Sequence, residues 1–175
     1  MAFQQENLNV LALLGSYIGD MIARSRSVGE SSSGWFLAEL DNAIRFARSN
    51  SVQSSLMAIR LKATDQTQYV SDFLGANIRS LDSSWQPRSA SGGSTVVILL
   101  PLVNKPQCEA YVQRIAKKLF DDSKIDLNHV VSELRIKQIK RRDTRETCMN
   151  FINKVAGFND NLKAQKGKRK GKRAA

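Results

Sequence analysis

Cysteine and histidine are nearly absent from this chain. Its 175 residues hold two cysteines, Cys108 and Cys148, and one histidine, His129. Two cysteines make no disulfide framework, and with one histidine they do not build a usual zinc site. A single histidine also argues against histidine-based catalysis. No apolar run approaches the ~20 residues that span a bilayer. The opening residues, Met1 to Glu6, carry neither a basic segment nor an apolar one, so no signal peptide is read there. These absences point to a reduced, cytoplasmic setting.

Acidic residues are the scarcer charge, 16 against 27 basic ones, for a net charge of +11. Much of the excess sits at one end. Seven of the eleven residues from Lys163 to Arg173 are basic, with no acid among them. Without those seven charges the remaining chain carries about +4, so the body is only mildly basic. Hydrophobic residues make up 42% and charged residues 25%, enough to bury a core. The length fits one domain with flanking segments.

Periodicity divides the chain. Leu8, Leu11, Ala12, Gly15, Ile18, Gly19 and Ile22 recur at helical steps over 5–24, and the apolar run Val10 to Leu14 asks for a partner beyond one core. A Ser/Gly-rich hinge follows over 25–34. Residues 35–49 read as a helix with Trp35, Phe36, Leu40, Ala43, Ile44 and Ala47 inward. Residues 52–62 alternate as a strand, with Met57, Ile59 and Leu61 on one face and Leu56, Ala58 and Arg60 on the other. The next helix is read over 66–81, with Tyr69, Val70, Phe73, Leu74, Asn77, Ile78 and Leu81 on one face. A short strand over 83–88, a Gly92-Gly93 turn and the apolar strand Thr95 to Leu100 suggest a hairpin whose second strand is covered on both faces. Pro106 opens a helix carrying Tyr111, Arg114, Ile115 and Leu119. A last strand over 130–139 and a helix over 143–157, with Cys148, Met149, Ile152 and Val155 inward, complete the pattern. The order implies a mixed α/β (α+β) fold, one central sheet flanked by helices.

Read from the residues alone, Arg79 and Asp82 are a surface pair at a helix end, and Arg114 is a solvated charge. Cys108 and Cys148 read as buried packing residues, and Asp121-Asp122 as a helix end.

The piece from Gly92 to Pro101 aligns without gaps on Gly-Gly-Asp-Glu-Phe-x-x-Leu-Leu-Pro, and Arg79-Ser80-Leu81-Asp82 fits Arg-x-x-Asp. In this order, over about residues 35–140, these features resemble the GGDEF domain of diguanylate cyclases. The resemblance implies that Arg-x-x-Asp is the inhibitory-type site that binds cyclic di-GMP. It also implies that the reaction has been lost. Ser94 and Thr95 stand where the family has its acidic pair, and Arg60 or Lys62 falls near the metal-binding aspartate. Two-metal phosphoryl chemistry needs carboxylates to hold the ions. The segment that recognises guanine in the family is also shortened, with Lys62 and Tyr69 only seven residues apart.

Within the family the chain resembles the PelD branch, cyclic di-GMP receptors of Pel exopolysaccharide systems, in which a degenerate GGDEF domain follows a GAF domain. That resemblance implies a connector helix at 1–26 ending a GAF-like domain, a linker at 27–34, the GGDEF-like domain at 35–158 and a basic disordered tail at 159–175. It implies a non-catalytic receptor that regulates exopolysaccharide synthesis or export, with cyclic di-GMP as ligand rather than cofactor and no catalytic or metal-binding residue. Arg79, Asp82 and Arg114 are the implied ligand-binding residues. Arg88, beside the hairpin, is an alternative third arginine, and Trp85 is a candidate to stack on guanine. A further arginine of the GAF domain has no counterpart here. Implied partners are other exopolysaccharide-system proteins, at the cytoplasmic face of the inner membrane if the parent protein is anchored there; a dimer stays open. The chemistry suits arginine, whose planar fork takes phosphate oxygens or the guanine O6/N7 edge, while aspartate accepts from guanine N1–H and N2–H₂. Three residues apart at a helix C-terminus, Arg79 and Asp82 are expected to project from one surface. The alternative is a nucleic-acid or anionic-surface binder driven by the basic tail through counterion release.

Overall fold

The computed structural model of the chain describes residues 15, 32–50, 52–87 and 93–157. Apart from Gly15, the expected connector helix lies outside the described residues, as do 27–31 of the linker, Arg88, the hairpin tip and the basic tail.

Among the described residues nine elements follow in order: α1 (Ser32–Asn50), β1 (Ser54–Leu61), α2 (Thr67–Ala76), β2 (Ser83–Trp85), β3 (Thr95–Pro101), α3 (Lys105–Ser123), α4 (Leu127–Val130), β4 (Val131–Ile139) and α5 (Arg145–Ala156). The strands form one antiparallel sheet in the order β2-β3-β1-β4. The two central strands, β1 and β3, are covered on both sides. Met57, Ile59, Leu61, Val96, Ile98 and Leu100 pack with Val70 and Leu74 of α2 and with Ile115 and Leu119 of α3. Leu56, Ala58, Val97 and Leu99 point the other way, against Phe36 and Leu40 of α1 and Cys148 and Ile152 of α5. Burial on both faces is why β3 reads as an unbroken apolar run and why β1 alternates between two apolar sets.

Four expectations give way. The helix expected over 66–81 ends at Ala76, where the Asn77 side-chain amide donates back to the Phe73 carbonyl at 2.8 Å, beside the last helical main-chain bond at 3.1 Å. An asparagine that bonds back onto the last turn competes with continued helix. Tyr69, expected inward, is 48% exposed. In so short a helix Val70 and Leu74 take the inward stripe, and Tyr69 lies about 100° round from Val70, beside the Phe73 ring. Trp35, expected in the core, is only half-buried, while its neighbour Phe36 is fully covered. The α1 helix also starts at Ser32, three residues before the expected 35.

At the end of α5 the guanidinium of Arg60 lies where a side chain at Gly157 would begin, 3.1–3.3 Å from that point. Gly157 also has φ +77°, so it closes the helix in the left-handed conformation that glycine adopts most easily. Arg60 thus brings a cation to a helix C-terminus, where the helix dipole favours it.

Candidate functional site

Arg79 and Asp82 sit in the turn between α2 and β2. The Asp82 N–H donates to the Arg79 carbonyl at 3.0 Å, and the Arg79 N–H donates back to Asp82 Oδ2 at 3.0 Å. The guanidinium completes a clamp: Nε donates to both carboxylate oxygens, at 3.2 and 3.0 Å, and Nη2 to Oδ1 at 2.7 Å. The Asp82 side chain is fully buried, while that of Arg79 is 43% exposed. Asp82 therefore does not project from the surface as the sequence suggested. A carboxylate can be buried here because main-chain and guanidinium donors satisfy it. The hydrogen bond to Asp82 is the main cause that raises the Arg79 pKa, so the guanidinium stays charged.

Beside the clamp is a cavity of about 390 Å³. Arg79 lines it on one side, and Leu100, Leu102 and Val103 line it from the end of β3. One face of α3 supplies Gln107, Ala110, Tyr111 and Arg114. Leu102, with φ +60°, turns the chain out of β3 toward that helix. A capping box fixes where α3 starts. Asn104 Oδ1 accepts from the Gln107 N–H at 3.0 Å, and Gln107 Oε1 accepts from the Asn104 N–H at 2.9 Å. Tyr111 is buried, and the guanidinium of Arg114 lies 5.1 Å from its ring centroid, a cation–π contact. Burial, then the charge of Asp82, pushes the Tyr111 hydroxyl pKa up to about 12, so it is a neutral donor near pH 7. That hydroxyl lies 3.5 Å from the Asn77 carbonyl. Lys118 Nζ donates to Asn77 Oδ1 at 2.6 Å. These contacts tie α3 to the chain just before the clamp.

The structure thus brings Arg79 and Arg114 to one cavity, with Asp82 buried against Arg79. It does not bring Trp85 there. Trp85 stands opposite Val97 on β3 and packs on Phe36, ring centroids 5.6 Å apart, on the α1 side of the sheet. Arg88 lies outside the described residues. Tyr111 and Gln107 were not singled out from the sequence, although the spacing 107, 110, 111, 114 around Arg114 marks a single helix face.

The hairpin end is a different environment. Thr95 pairs with Arg60 in the sheet, and the Leu61 N–H donates to the Ser94 carbonyl at 2.8 Å. Ser94 and Ser71 hydroxyls are 3.2 Å apart, and Lys62 Nζ donates to the His129 carbonyl at 2.8 Å. Among the described residues the buried Thr95 Oγ1 has no hydrogen-bond partner. Hydroxyls and cations, not carboxylates, occupy these four positions. Cys108 and Cys148 are buried, and burial is the main cause that raises both thiol pKa values. That is the behaviour of packing residues, not of nucleophiles.

The family model for the PelD GGDEF domain matches residues 33–154. No curated protein matches the chain. Solved structures with the same fold include a C-terminal piece of PelD from Pseudomonas aeruginosa PAO1, at 21% identity and a TM-score of 0.66, covering 79% of this chain and 49% of that one. The same piece in complex with c-di-GMP matches at 20% identity and a TM-score of 0.63, covering 74% and 46%. A PelD piece from Pseudomonas aeruginosa PA14, also in complex with c-di-GMP, matches at 21% identity and a TM-score of 0.61, covering 70% and 44%. The chain therefore spans a little under half the length of these relatives.

Proposed function

The chain belongs to the PelD GGDEF domain family, and from that premise we propose that it is a receptor domain for cyclic di-GMP that does not synthesise the nucleotide. The observation that carries the reading is the cavity that gathers Arg79 and Arg114 beside the arginine–aspartate clamp. Two relatives of the same fold are complexes with c-di-GMP, which supports the choice of ligand.

Cyclic di-GMP carries two phosphates and two guanine faces. Asp82 takes the Nε and Nη2 edge of Arg79, so the Nη1 side is turned away from the carboxylate and offers donors to a phosphate or to the guanine O6/N7 edge. Arg114 offers a second cation from α3. Asp82, buried behind Arg79, serves this site by holding that guanidinium toward the cavity. The lack of synthesis follows from Ser94, Thr95, Arg60 and Lys62, which cannot hold divalent ions against a triphosphate. In a longer parent protein, ligand binding would regulate Pel-type exopolysaccharide synthesis or export through neighbouring proteins.

The test is fluorescence anisotropy with labelled cyclic di-GMP. Unlabelled cyclic di-GMP is expected to displace the probe, and GTP at the same concentration is not. Incubation with GTP and Mg²⁺ or Mn²⁺ is expected to give no cyclic product above a blank. Displacement by GTP, or steady turnover, contradicts the proposal. A second reading rests on the seven cations between Lys163 and Arg173. It makes the chain a nucleic-acid or anionic-surface binder whose affinity falls steeply with salt.

A further inference from the structure

The first turn of α3 carries an amide whose orientation is chemically fixed. The acceptor of the Asn104 main-chain N–H must be an oxygen, so the Gln107 side chain has Oε1 on that bond and Nε2 on the opposite branch of its planar amide. Gln107 lines the same cavity as Arg79, Tyr111 and Arg114. The capping box therefore spends the acceptor of Gln107 on the helix and leaves its two N–H donors for something else. The charged groups around it in the cavity, the guanidinium groups of Arg79 and Arg114, are also donors, while the one O–H of Tyr111 is turned to the Asn77 carbonyl. A cavity walled by donors suits an acceptor-rich ligand.

We propose that Gln107 is a ligand-contacting residue of this site, donating from Nε2 to an acceptor oxygen of the bound cyclic dinucleotide. The inference rests on the receptor reading above and adds to it a neutral donor on the same helix face as Arg114. Gln107 sits one turn before Tyr111 and two turns before Arg114, so the three side chains form a row along the cavity. Ala110, small and exposed, leaves that row open.

Gln107→Glu separates the two roles of the residue. A carboxylate still accepts from the Asn104 N–H, and a glutamate suits the third position of a helix. The donor becomes an acceptor facing the ligand. Gln107→Ala removes the donor without adding charge. Asn150→Asp, at an exposed position on α5 across the sheet, makes the same charge change as Gln107→Glu away from the cavity. Cyclic di-GMP is titrated by calorimetry into the 175-residue parent, these three variants and Arg114→Ala, with unliganded melting followed in parallel. Gln107→Glu is expected to bind about tenfold or more weakly at an unchanged melting midpoint, Gln107→Ala about tenfold more weakly, and Asn150→Asp as the parent does. Parent-like binding by Gln107→Ala, or equal losses in Gln107→Glu and Asn150→Asp, overturns the role of Gln107. If Arg114→Ala is weakened in that same experiment, the site itself still stands. If Arg114→Ala also binds like the parent, both the site and the inference fall.

Discussion

At the scale of single residues, Asp82 separates folding from binding. Its side chain is fully buried and accepts from the Arg79 main chain and guanidinium. Asp82→Ala removes those bonds and is expected to lower stability by about 1.5–3 kcal/mol, the range for hydrogen bonds to charged groups. Chemical denaturation of the unliganded chain measures it, and an unchanged midpoint would show that the clamp contributes nothing to folding. Arg79→Ala strands a buried carboxylate and is expected to destabilise as well. Arg114 is exposed, with its guanidinium on the Tyr111 ring, and its loss is expected to leave the midpoint nearly in place. Two titrations bound the pH range. Burial pushes the Asp143 carboxyl up, but bonds from Lys137 and the Lys140 main chain outweigh it and hold the pKa below its ordinary 3.8. That stability is complete above pH 3.8 and lost as pH falls through the lowered value. Tyr111 behaves the opposite way. Its pKa is raised from 10.0 to about 12, so its contribution is complete below pH 10 and lost as pH rises toward 12. A pH series of thermal midpoints is expected to be steeper at the alkaline end in the parent than in Tyr111→Phe. Equal alkaline slopes would contradict the burial of that hydroxyl.

At the scale of elements, the cap of α3 holds Tyr111, Arg114 and Gln107 in register. Asn104→Ala removes an N-cap and is expected to destabilise by about 1 kcal/mol, read as a lower denaturation midpoint. An unchanged midpoint would mean that Pro106 and the rest of the first turn start the helix unaided. The regular elements were legible because their burial is periodic or complete. Both β1 and β3 bury nearly every residue, and α5 presents Cys148, Ile152 and Val155 on one stripe. The end of α2 was not legible, because Ile78 and Leu81 continue its apolar period while Asn77 stops it through a side-chain bond. Arg79 and Asp82 were found as residues, but the turn that buries one against the other depends on where the chain enters β2. Gln107 and Tyr111 escaped because each reads as an ordinary helix residue until β3 and Arg79 are placed opposite. The short α4, capped by Asp126, fell within a stretch too brief to show a period.

At the scale of the whole molecule, the site and much of the net charge fall in different stretches of the sequence. The described fold places the two arginines of the site, Arg79 and Arg114, on the α2–α3 side of the sheet, whereas much of the net charge lies between Lys163 and Arg173 in sequence. A chain ending at Asp160 is expected to bind cyclic di-GMP within about threefold of the full chain. A tenfold loss, about 1.4 kcal/mol, would move the binding energy to the tail. This chain covers a little under half of the PelD relatives' length, so affinity here measures what this stretch contributes by itself. The most direct measurement is calorimetric titration of cyclic di-GMP into the 175-residue chain, its Arg114→Ala variant and Arg45→Ala. Arg45, on α1 across the sheet, matches the charge change. The account predicts saturable binding by the parent, at least about tenfold weaker binding by Arg114→Ala at an unchanged melting midpoint, and parent-like binding by Arg45→Ala. Equal affinities for the parent and Arg114→Ala, or equal losses in the two arginine variants, would contradict it.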